Sequence, residues 1–429
     1  MSPPPKLALL LAAALLAAAP GGVAPAAARQ DALVEANGGL YRDPALQDYV
    51  RSVGLRLVAA AGRSGRGWSF QVLDTPDANA YARPGPRILV TRGMLALAND
   101  EAELATILGH EIGHALAGDA VEARTDAQRR AAEFAADRTG MRLIARAGYD
   151  PAAQVDFLRT DLAVRMLQGG PDGTAANHPA LAERLRRAGT DAAAMAVPGG
   201  RRDRARFLAA IDGLVWGGDP ARGFQDGRSF VHPDRRYAFE TPAGFAVANQ
   251  PGALIANGPD GAVLTLDSLP DPGGSPERYL SDGWVPEIAR GVATGPLESL
   301  RGLSLNGMPA AQGQLPLAAP GSTRVAELTV VRHDGRLYRL SGLHEPGDRA
   351  GAAALAAATA SFRPLAAGEA ARYRTLRIRI HRIARGEDVV AIASGMPVNP
   401  SRPWFDVLNG LAPGENLRVG DVIKVVTTG

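Results

Sequence analysis

The chain has 429 residues, a formal net charge of +3 at neutral pH, 46% hydrophobic residues and 21% charged residues. This composition is typical of soluble globular proteins, and the length predicts more than one domain. The sequence contains no cysteine, which excludes disulfides, thiolate metal ligands and a thiol nucleophile. Arginine supplies every cation except Lys6 and Lys424, without a basic cluster, so we expect no nucleic-acid partner.

Residues 1–28 have the order of a secretory signal peptide. Lys6 precedes an apolar run at residues 7–19, and a small-residue stretch ends at residue 28. The run is short for a membrane span, although an uncleaved anchor is the alternative interpretation. We therefore expect a mature chain that begins near Arg29 and lies in a bacterial periplasm, with which the absence of cysteine is compatible.

The pattern after the leader predicts a multidomain protein. Residues 29–200 read as mainly helical with a small sheet, predicted from strands at 68–73 and 88–91. A Gly- and Pro-rich linker is expected at 201–228.

Two further domains are predicted after the linker. Residues 229–368 read as a small α+β domain without recognisable chemistry, with a hairpin turning at His333-Asp334-Gly335 and helices near 276–290 and 350–361. Residues 373–429 begin with a strand in which apolar and basic side chains alternate, and are predicted to form a third, small domain.

The most informative helix begins at residue 100. Asp100 is a suitable N-cap, and Glu103 three residues later completes a capping-box pattern. The apolar stripe on one face consists of Leu104, Leu108, Ile112 and Ala115.

A different face of this helix carries His110, Glu111 and His114. Histidines four residues apart lie one turn from each other, a spacing with which two imidazoles bind one zinc ion. Glu111 projects beside such an ion, where a carboxylate can take a proton from water and pass it to a leaving amine. The alternative is a core helix with two hydrogen-bonded histidines. Gly113 within the motif permits a neighbouring backbone to approach closely.

A catalytic zinc ion needs a third protein ligand. Glu133 and Asp137 lie four residues apart in a second predicted helix, so both face the same way. One interpretation makes Glu133 the ligand and Asp137 the acceptor for the free ring N–H of a ligand histidine. By spacing alone, two solvated carboxylates on an arginine-rich helix are the favoured interpretation.

Several motifs between residues 35 and 190 resemble the HtpX/BepA-like metallopeptidases, peptidase family forty-eight of the metallo class. The matching motifs are Asn79-Ala80-Tyr81-Ala82-Arg83-Pro84-Gly85, Ile88-Leu89-Val90-Thr91-Arg92-Gly93, His110-Glu111-Ile112-Gly113-His114, Glu133 with Asp137-Arg138 and Gly140, Ala147-Gly148-Tyr149-Asp150-Pro151, and Asn177-His178-Pro179 with Arg184. The chain departs from the family in the shorter insertion between the first two helices, at residues 115–132.

This resemblance implies a gluzincin fold and endoproteolysis of peptide bonds. It implies that His110, His114 and Glu133 bind Zn²⁺, with Glu111 as the catalytic base. The resemblance therefore favours Glu133 as a zinc ligand over the solvated carboxylate that spacing alone favours. The segment at Asn79 and Ala80 is implied to be the sheet edge to which an extended substrate adds as a strand.

His178 and Arg184 have open roles. His178 follows a Gly-rich loop and is predicted either to occupy the fourth zinc position, keeping the enzyme latent, or to hydrogen-bond within its loop. A third interpretation has His178 and Arg184 stabilise the transition state. His232, His333, His344 and His381 are expected to be structural or exposed.

The last segment resembles a LysM-type βααβ glycan-binding module. The matching residues are Ala384-Arg385-Gly386-Glu387-Asp388, Ile392-Ala393, Leu408-Asn409-Gly410-Leu411 and Leu417-Arg418-Val419-Gly420-Asp421-Val422-Ile423. The resemblance implies a peptidoglycan tether, although a domain for folding or for docking on a partner is the alternative, and residues 397–403 depart from a compact module.

Together these features predict a periplasmic zinc endopeptidase in envelope quality control, acting on unfolded or misassembled envelope proteins. The alternative is a cell-wall-tethered binding or chaperone-like protein with a latent zinc site. A peptidoglycan endopeptidase ranks last, because the motifs resemble those of enzymes that cut proteins.

Overall fold

The computed structural model describes residues 34, 38–83, 85–118, 125–167, 181–250, 252–319, 322–412 and 415–429. The chain divides into two compact units. The helical unit contains residues 40–217 and 375–429, and the sheet unit contains residues 218–374 with the described residues before Leu40. The predicted signal peptide, residues 1–28, lies outside the described residues.

The helical unit consists of helices around two small sheets. Its helices are α1 (Pro44–Ala60), α2 (Arg92–Leu97), α3 (Glu101–Ala117), α4 (Asp126–Arg146), α5 (Ala152–Leu167), α6 (Leu181–Ala194) and α7 (Arg204–Ile211). Its first strands are β1 (Ser69–Leu73), β2 (Ala80–Arg83) and β3 (Arg87–Thr91). A short strand, β4 (Val215–Trp216), ends its first chain segment.

The first sheet has the order β1-β3-β2. Strands β1 and β3 are the two predicted strands, and they pair in parallel. Strand β2 is absent from the predicted strand pair and runs antiparallel to β3 at the edge. Its four residues carry no clear alternation, and pairing with β3 holds them extended.

Helix α3 begins as expected and ends at a left-handed residue. The Asp100 carboxylate accepts the Glu103 N–H at 2.8 Å. The Glu103 carboxylate accepts the N–H of Asn99 at 2.9 Å, one residue before the bond that a capping box predicts. Gly118 ends the helix with φ 67°, a conformation that glycine adopts at no steric cost.

Glycine allows α3 and α4 to approach closely. A Cβ on Gly140 would lie 2.8 Å from the carbonyl carbon of Gly109 and 2.8 Å from the backbone nitrogen of His110. A Cβ on Gly113 would lie 3.0 Å from the carbonyl oxygen of Ala136. The two helices therefore meet backbone to backbone, and side chains on α4 reach the histidines of α3.

The last chain segment has the predicted order of strand, helix, helix and strand. Its elements are β17 (Leu376–Arg382), α11 (Val389–Ser394), α12 (Ser401–Leu408) and β18 (Val422–Thr428), and the two strands pair antiparallel. The prediction treats this segment as a separate domain, whereas it lies within the helical unit. Ile378, Phe405 and Ile423 are buried in the same core as Leu104 and Leu108, because so short a segment cannot bury enough apolar surface alone.

The sheet unit is built mainly from antiparallel strands. Its strands are β5 (Phe224–Asp226), β6 (Ser229–His232), β7 (Tyr237–Glu240), β8 (Ala246–Gln250), β9 (Ala253–Asn257), β10 (Val263–Pro270), β11 (Ala293–Thr294), β12 (Glu298–Leu305), β13 (Met308–Ala319), β14 (Ser322–His333), β15 (Arg336–His344) and β16 (Arg363–Pro364). The larger sheet has the order β11-β13-β14-β15-β10-β9-β8 with β12 on β13, and the smaller has the order β16-β7-β6-β5.

The predicted hairpin of the sheet unit is confirmed. His333 pairs with Arg336, and Asp334 and Gly335 turn the chain with φ 47° and 70°. The predicted helices are present as α8 (Pro276–Arg278), a π-helical turn (Tyr279–Trp284), α9 (Val285–Gly291) and α10 (Arg349–Ala360). Across the described ranges, we find no helix with the length and apolar character needed to cross a bilayer.

Candidate metal centre

Three side chains of the helical unit meet where α3 packs against α4. The Nε2 atoms of His110 and His114 lie 3.1 Å apart. The Glu133 carboxylate reaches them from α4, with Oε2 at 3.4 Å from Nε2 of His110 and Oε1 at 3.4 Å from Nε2 of His114. These are the three ligands predicted from the sequence, and the structure brings them together.

The donor set fits a zinc ion. Two imidazole nitrogens and one carboxylate are a common set of protein ligands for catalytic zinc. Tetrahedral zinc with bonds of roughly 2.0–2.1 Å requires donor atoms about 3.3–3.4 Å apart. The observed separations of 3.1 and 3.4 Å match that requirement. The same residues would hold zinc without rearrangement of either helix.

Asp137 orients His110 from one turn further along α4. Its Oδ1 lies 2.9 Å from Nδ1 of His110. A carboxylate only accepts hydrogen bonds, so Nδ1 of His110 carries a proton, and loss of the second proton would leave the Nε2 lone pair available to a metal cation. The hydrogen bond predicted between Asp137 and a histidine is thus present, and its role beside a bound metal stays a prediction.

Arg184, on α6, holds Asp137 in turn. Its Nε and Nη2 donate to the two carboxylate oxygens of Asp137 at 2.8 and 2.7 Å. Burial would raise the pKa of Asp137, but the Arg184 guanidinium and the His110 ring hold that pKa well below its usual range. The described bonds of Arg184 therefore support a role through Asp137, and Arg184 also lines the cavity described below.

The carboxylates also act on the His110 ring. Burial would lower the pKa of His110, but hydrogen bonds to Asp137 and Glu133 outweigh burial and raise it to about 10. The surroundings thus favour positive charge at this position, whether it is a proton or a metal cation.

A cavity of about 500 Å³ opens beside these ligands. His110 and Glu111 line it on α3, and Asn79 and Ala80 line it at the start of β2. Glu111 thus faces the same space as His110, one of the candidate zinc ligands. The two residues predicted to form the substrate edge border this space as well.

The edge at β2 is held in an extended form by side-chain bonds. The side-chain Oδ1 of Asn79 accepts the Ala80 N–H at 2.9 Å. The backbone N–H of Asn79 donates to Oγ1 of Thr91 at 3.0 Å. Because β3 pairs with only one side of β2, the other side of this strand remains an edge within the described sheet. An edge strand offers backbone donors and acceptors to an extended peptide.

His178 lies outside the described residues, so its predicted roles stay predictions. Two other residues that line the cavity, Trp216 and Trp404, are not predicted from the sequence. Both lie far along the chain from α3, which carries His110, Glu111 and His114, and no local spacing connects them to that helix. Tryptophan content was the sole signal, and it does not distinguish a cavity wall from a core.

Comparison with known proteins bears on this same region. The profile of Peptidase family M48 matches residues 44–128 and 124–191. A β-barrel assembly-enhancing protease of Escherichia coli strain K12 is 25% identical over 188 residues, covering 34% of this chain and 39% of that protein.

Two further relatives are similar over parts of the chain. A putative β-barrel assembly-enhancing protease of Vibrio cholerae is 29% identical over 168 residues, covering 38% of this chain and 34% of that protein. The mitochondrial metalloendopeptidase OMA1 of Schizosaccharomyces pombe is 35% identical over 74 residues, covering 17% of this chain and 22% of that protein.

The chain thus spans less than two fifths of the length of each of these three relatives. The matched region nevertheless contains His110, Glu111, His114, Glu133 and Asp137, the residues that the structure gathers at one centre. Residues 44–191 are therefore similar to Peptidase family M48, whose profile they match.

Proposed function

We propose that the protein is a zinc-dependent endopeptidase that cuts extended segments of polypeptides. The observation that carries this proposal is that His110, one of three zinc-type donors that meet, lines the same cavity as Glu111 and the start of an edge strand. Zinc bound by His110, His114 and Glu133 would supply a Lewis acid toward the peptide carbonyl.

The chain's own groups account for the remaining steps. A substrate strand pairs with β2 at Asn79 and Ala80, which places its backbone across the cavity. Glu111 takes the proton of the attacking water and delivers it to the leaving amine. Asp137 and Arg184 keep the His110 ring in one tautomer and orientation throughout.

The cellular role that we propose is removal of misassembled proteins in a bacterial envelope. It is supported by the signal-peptide pattern of residues 1–28 and by relatives named for β-barrel assembly. The βααβ segment at the end of the chain is proposed to contact peptidoglycan, on the resemblance of its motifs to LysM modules.

The test is cleavage of casein by residues 29–429, compared with Glu111→Gln and with a chelated sample. Zinc content is measured on each protein. We expect cleavage by the wild-type chain alone and about one zinc per chain in both unchelated proteins, because Glu111 acts on protons and does not bind the metal. The matched control is Glu298→Gln, which changes an exposed carboxylate of the sheet unit and should cut casein normally.

Other outcomes would contradict the proposal. A chain that binds no zinc would refute the metal centre, and equal cleavage by Glu111→Gln would refute its catalytic assignment. Zinc binding without cleavage would favour the chaperone-like alternative, in which Glu111→Gln leaves the cellular role intact.

A further inference from the structure

Two tryptophans outside the matched family region form part of the cavity wall. Trp216 lies on β4 and Trp404 lies on α12, so both come after residue 191. They line the same cavity as His110 and Glu111. Their ring centroids are 5.2 Å apart and their planes are inclined at 76°, an edge-to-face contact.

The backbone on either side of Trp216 is held by one buried arginine. Arg92, 1% exposed, donates from Nη1 to the carbonyl of Val215 at 2.9 Å and from Nη2 to the carbonyl of Gly217 at 2.7 Å. Its Nε donates to Oδ1 of Asp74 at 2.8 Å. Three bonds from one planar guanidinium define where the Trp216 backbone lies.

Trp404 is held by the packing of α12. This helix packs against α5 and α2, and the residue after Trp404, Phe405, is fully buried. The strand that follows α12 is bound to the same region, since Nζ of Lys424 donates to the carbonyls of Ala96 and Ala98 at 2.8 and 2.7 Å. The last chain segment is therefore attached next to the cavity by both apolar and polar contacts.

Both tryptophan side chains are only half-buried, although they contact the core of the helical unit. Met94, Leu97 and Val164 line the same cavity and supply further apolar surface. An aromatic side chain that faces a cavity can bury a large apolar area when a ligand enters, and such surfaces dominate the affinity of ligand pockets.

We propose that Trp216 and Trp404 form a subsite that receives one large apolar side chain of the polypeptide substrate. Two residues outside the matched family region, one of them on the last chain segment, thereby set the sequence preference of a centre whose candidate ligands lie on α3 and α4. This inference rests on the proposed endopeptidase function. It adds that the substrates carry an aromatic or large aliphatic residue near the cut, as unfolded segments of a protein core do.

The test uses eight-residue peptides that differ in one side chain, Phe or Ala, at each position in turn. Binding is measured calorimetrically to zinc-loaded Glu111→Gln, which should bind peptides without cutting them. Cleavage is measured as kcat/KM with Glu111 present. Each measurement is made on the parent chain, on Trp216→Ala and Trp404→Ala, and on Trp68→Ala. Trp68, a half-buried tryptophan of the same unit that does not line the cavity, is the matched control.

The expected result is a preference for Phe over Ala of roughly tenfold or more at one position in the parent chain. Trp216→Ala and Trp404→Ala should reduce that ratio toward one, with the Ala peptide nearly unaffected. Trp68→Ala should keep the ratio. If either alanine variant fails to fold, Trp404→Phe enlarges the subsite instead, and the preference should shift from Phe toward the bulkier Trp in the peptide.

Three outcomes would overturn the inference. One is no preference for Phe over Ala at any position, and another is an unchanged ratio in both folded alanine variants. The third is an equal loss for both peptides. Binding with a Phe preference but without cleavage by the parent chain would refute the endopeptidase function while leaving the subsite in place.

Discussion

Each unit of the protein holds a largely buried histidine, and the two have opposite surroundings. His110, in the helical unit, contacts the carboxylates of Asp137 and Glu133, which raise its pKa to about 10. His232, in the sheet unit, is buried near Arg235 and Arg336, and burial together with these arginines lowers its pKa to about 4. One site therefore favours a cation at neutral pH and the other excludes it.

Buried arginine–aspartate pairs show the same contrast. Arg184 pairs with Asp137. Asp137 also bonds to the ring of His110, and all three residues line the cavity. Arg339 pairs with Asp267 and lies over the ring of Trp284, within the sheet unit. A buried ion pair by itself therefore does not indicate a functional site. The group that the pair holds in place decides whether a site results.

The largest effect is expected from removing a ligand. Glu133→Gln should lower zinc affinity by more than about 100-fold, because a lost ligand costs more than the 10- to 100-fold typical of residues that orient ligands. Competition with a chelator measures the change. Glu327→Gln, beside His344 in the sheet unit, is the matched control and should bind zinc normally. Equal zinc affinity in the two variants would remove the contrast between the units.

The next effect concerns acid stability of the sheet unit. His232 is neutral in the folded protein with a pKa of about 4, whereas its unfolded value is about 6.5. The unfolded chain therefore binds more protons between these values, and stability falls as pH decreases from about 6.5 to 4, by on the order of 3 kcal/mol.

Replacing His232 by Asn should flatten that part of the pH profile, measured by denaturant unfolding with a probe in the sheet unit. His333→Asn, in the same unit, serves as the control variant. A profile that is equally steep in the parent chain and in His232→Asn would show that another group causes the acid sensitivity.

A smaller effect is expected from the residue that orients His110. Asp137→Asn should reduce zinc affinity by about 10- to 100-fold, because an amide presents a weaker acceptor to the ring N–H and loses its ion pair with Arg184. Asp267→Asn breaks the corresponding pair of the sheet unit and should lower stability alone. Zinc loss in Asp267→Asn would contradict this separation.

The smallest effect is expected at the contact between α3 and α4. Gly140→Ala would place a methyl group 2.8 Å from backbone atoms of α3, so the helices must separate, at a cost of about 1–3 kcal/mol. Gly189→Ala, on α6, meets no atom within 4 Å and should be neutral or slightly stabilising. Thermal unfolding distinguishes the two variants, and equal melting temperatures would argue against the close helix contact.

Several local features were accessible from short stretches of sequence. Asp100 caps α3 because its carboxylate lies within reach of the Glu103 N–H, a bond between residues three apart. The Asp334-Gly335 turn is accessible for the same reason, since both residues adopt positive φ within one hairpin. The four-residue spacing of His110 and His114 likewise places both rings on one side of α3.

Other features depended on pairings between distant residues. Spacing alone favoured a solvated Glu133, and only the contact between α3 and α4 places its carboxylate at 3.4 Å from both histidines. The residues of β2 form a strand because they pair with β3. The pairing of Arg184 with Asp137 joins residues 47 positions apart, for which no periodicity exists.

The sequence by itself determined the helix that carries His110, Glu111 and His114, because capping and helical periodicity act within a few residues. The tertiary structure alone decided that the last chain segment shares the core of the helical unit and that Trp216 and Trp404 border the cavity. Apolar burial is non-directional, so a sequence shows which side chains leave water but not which distant partners they meet.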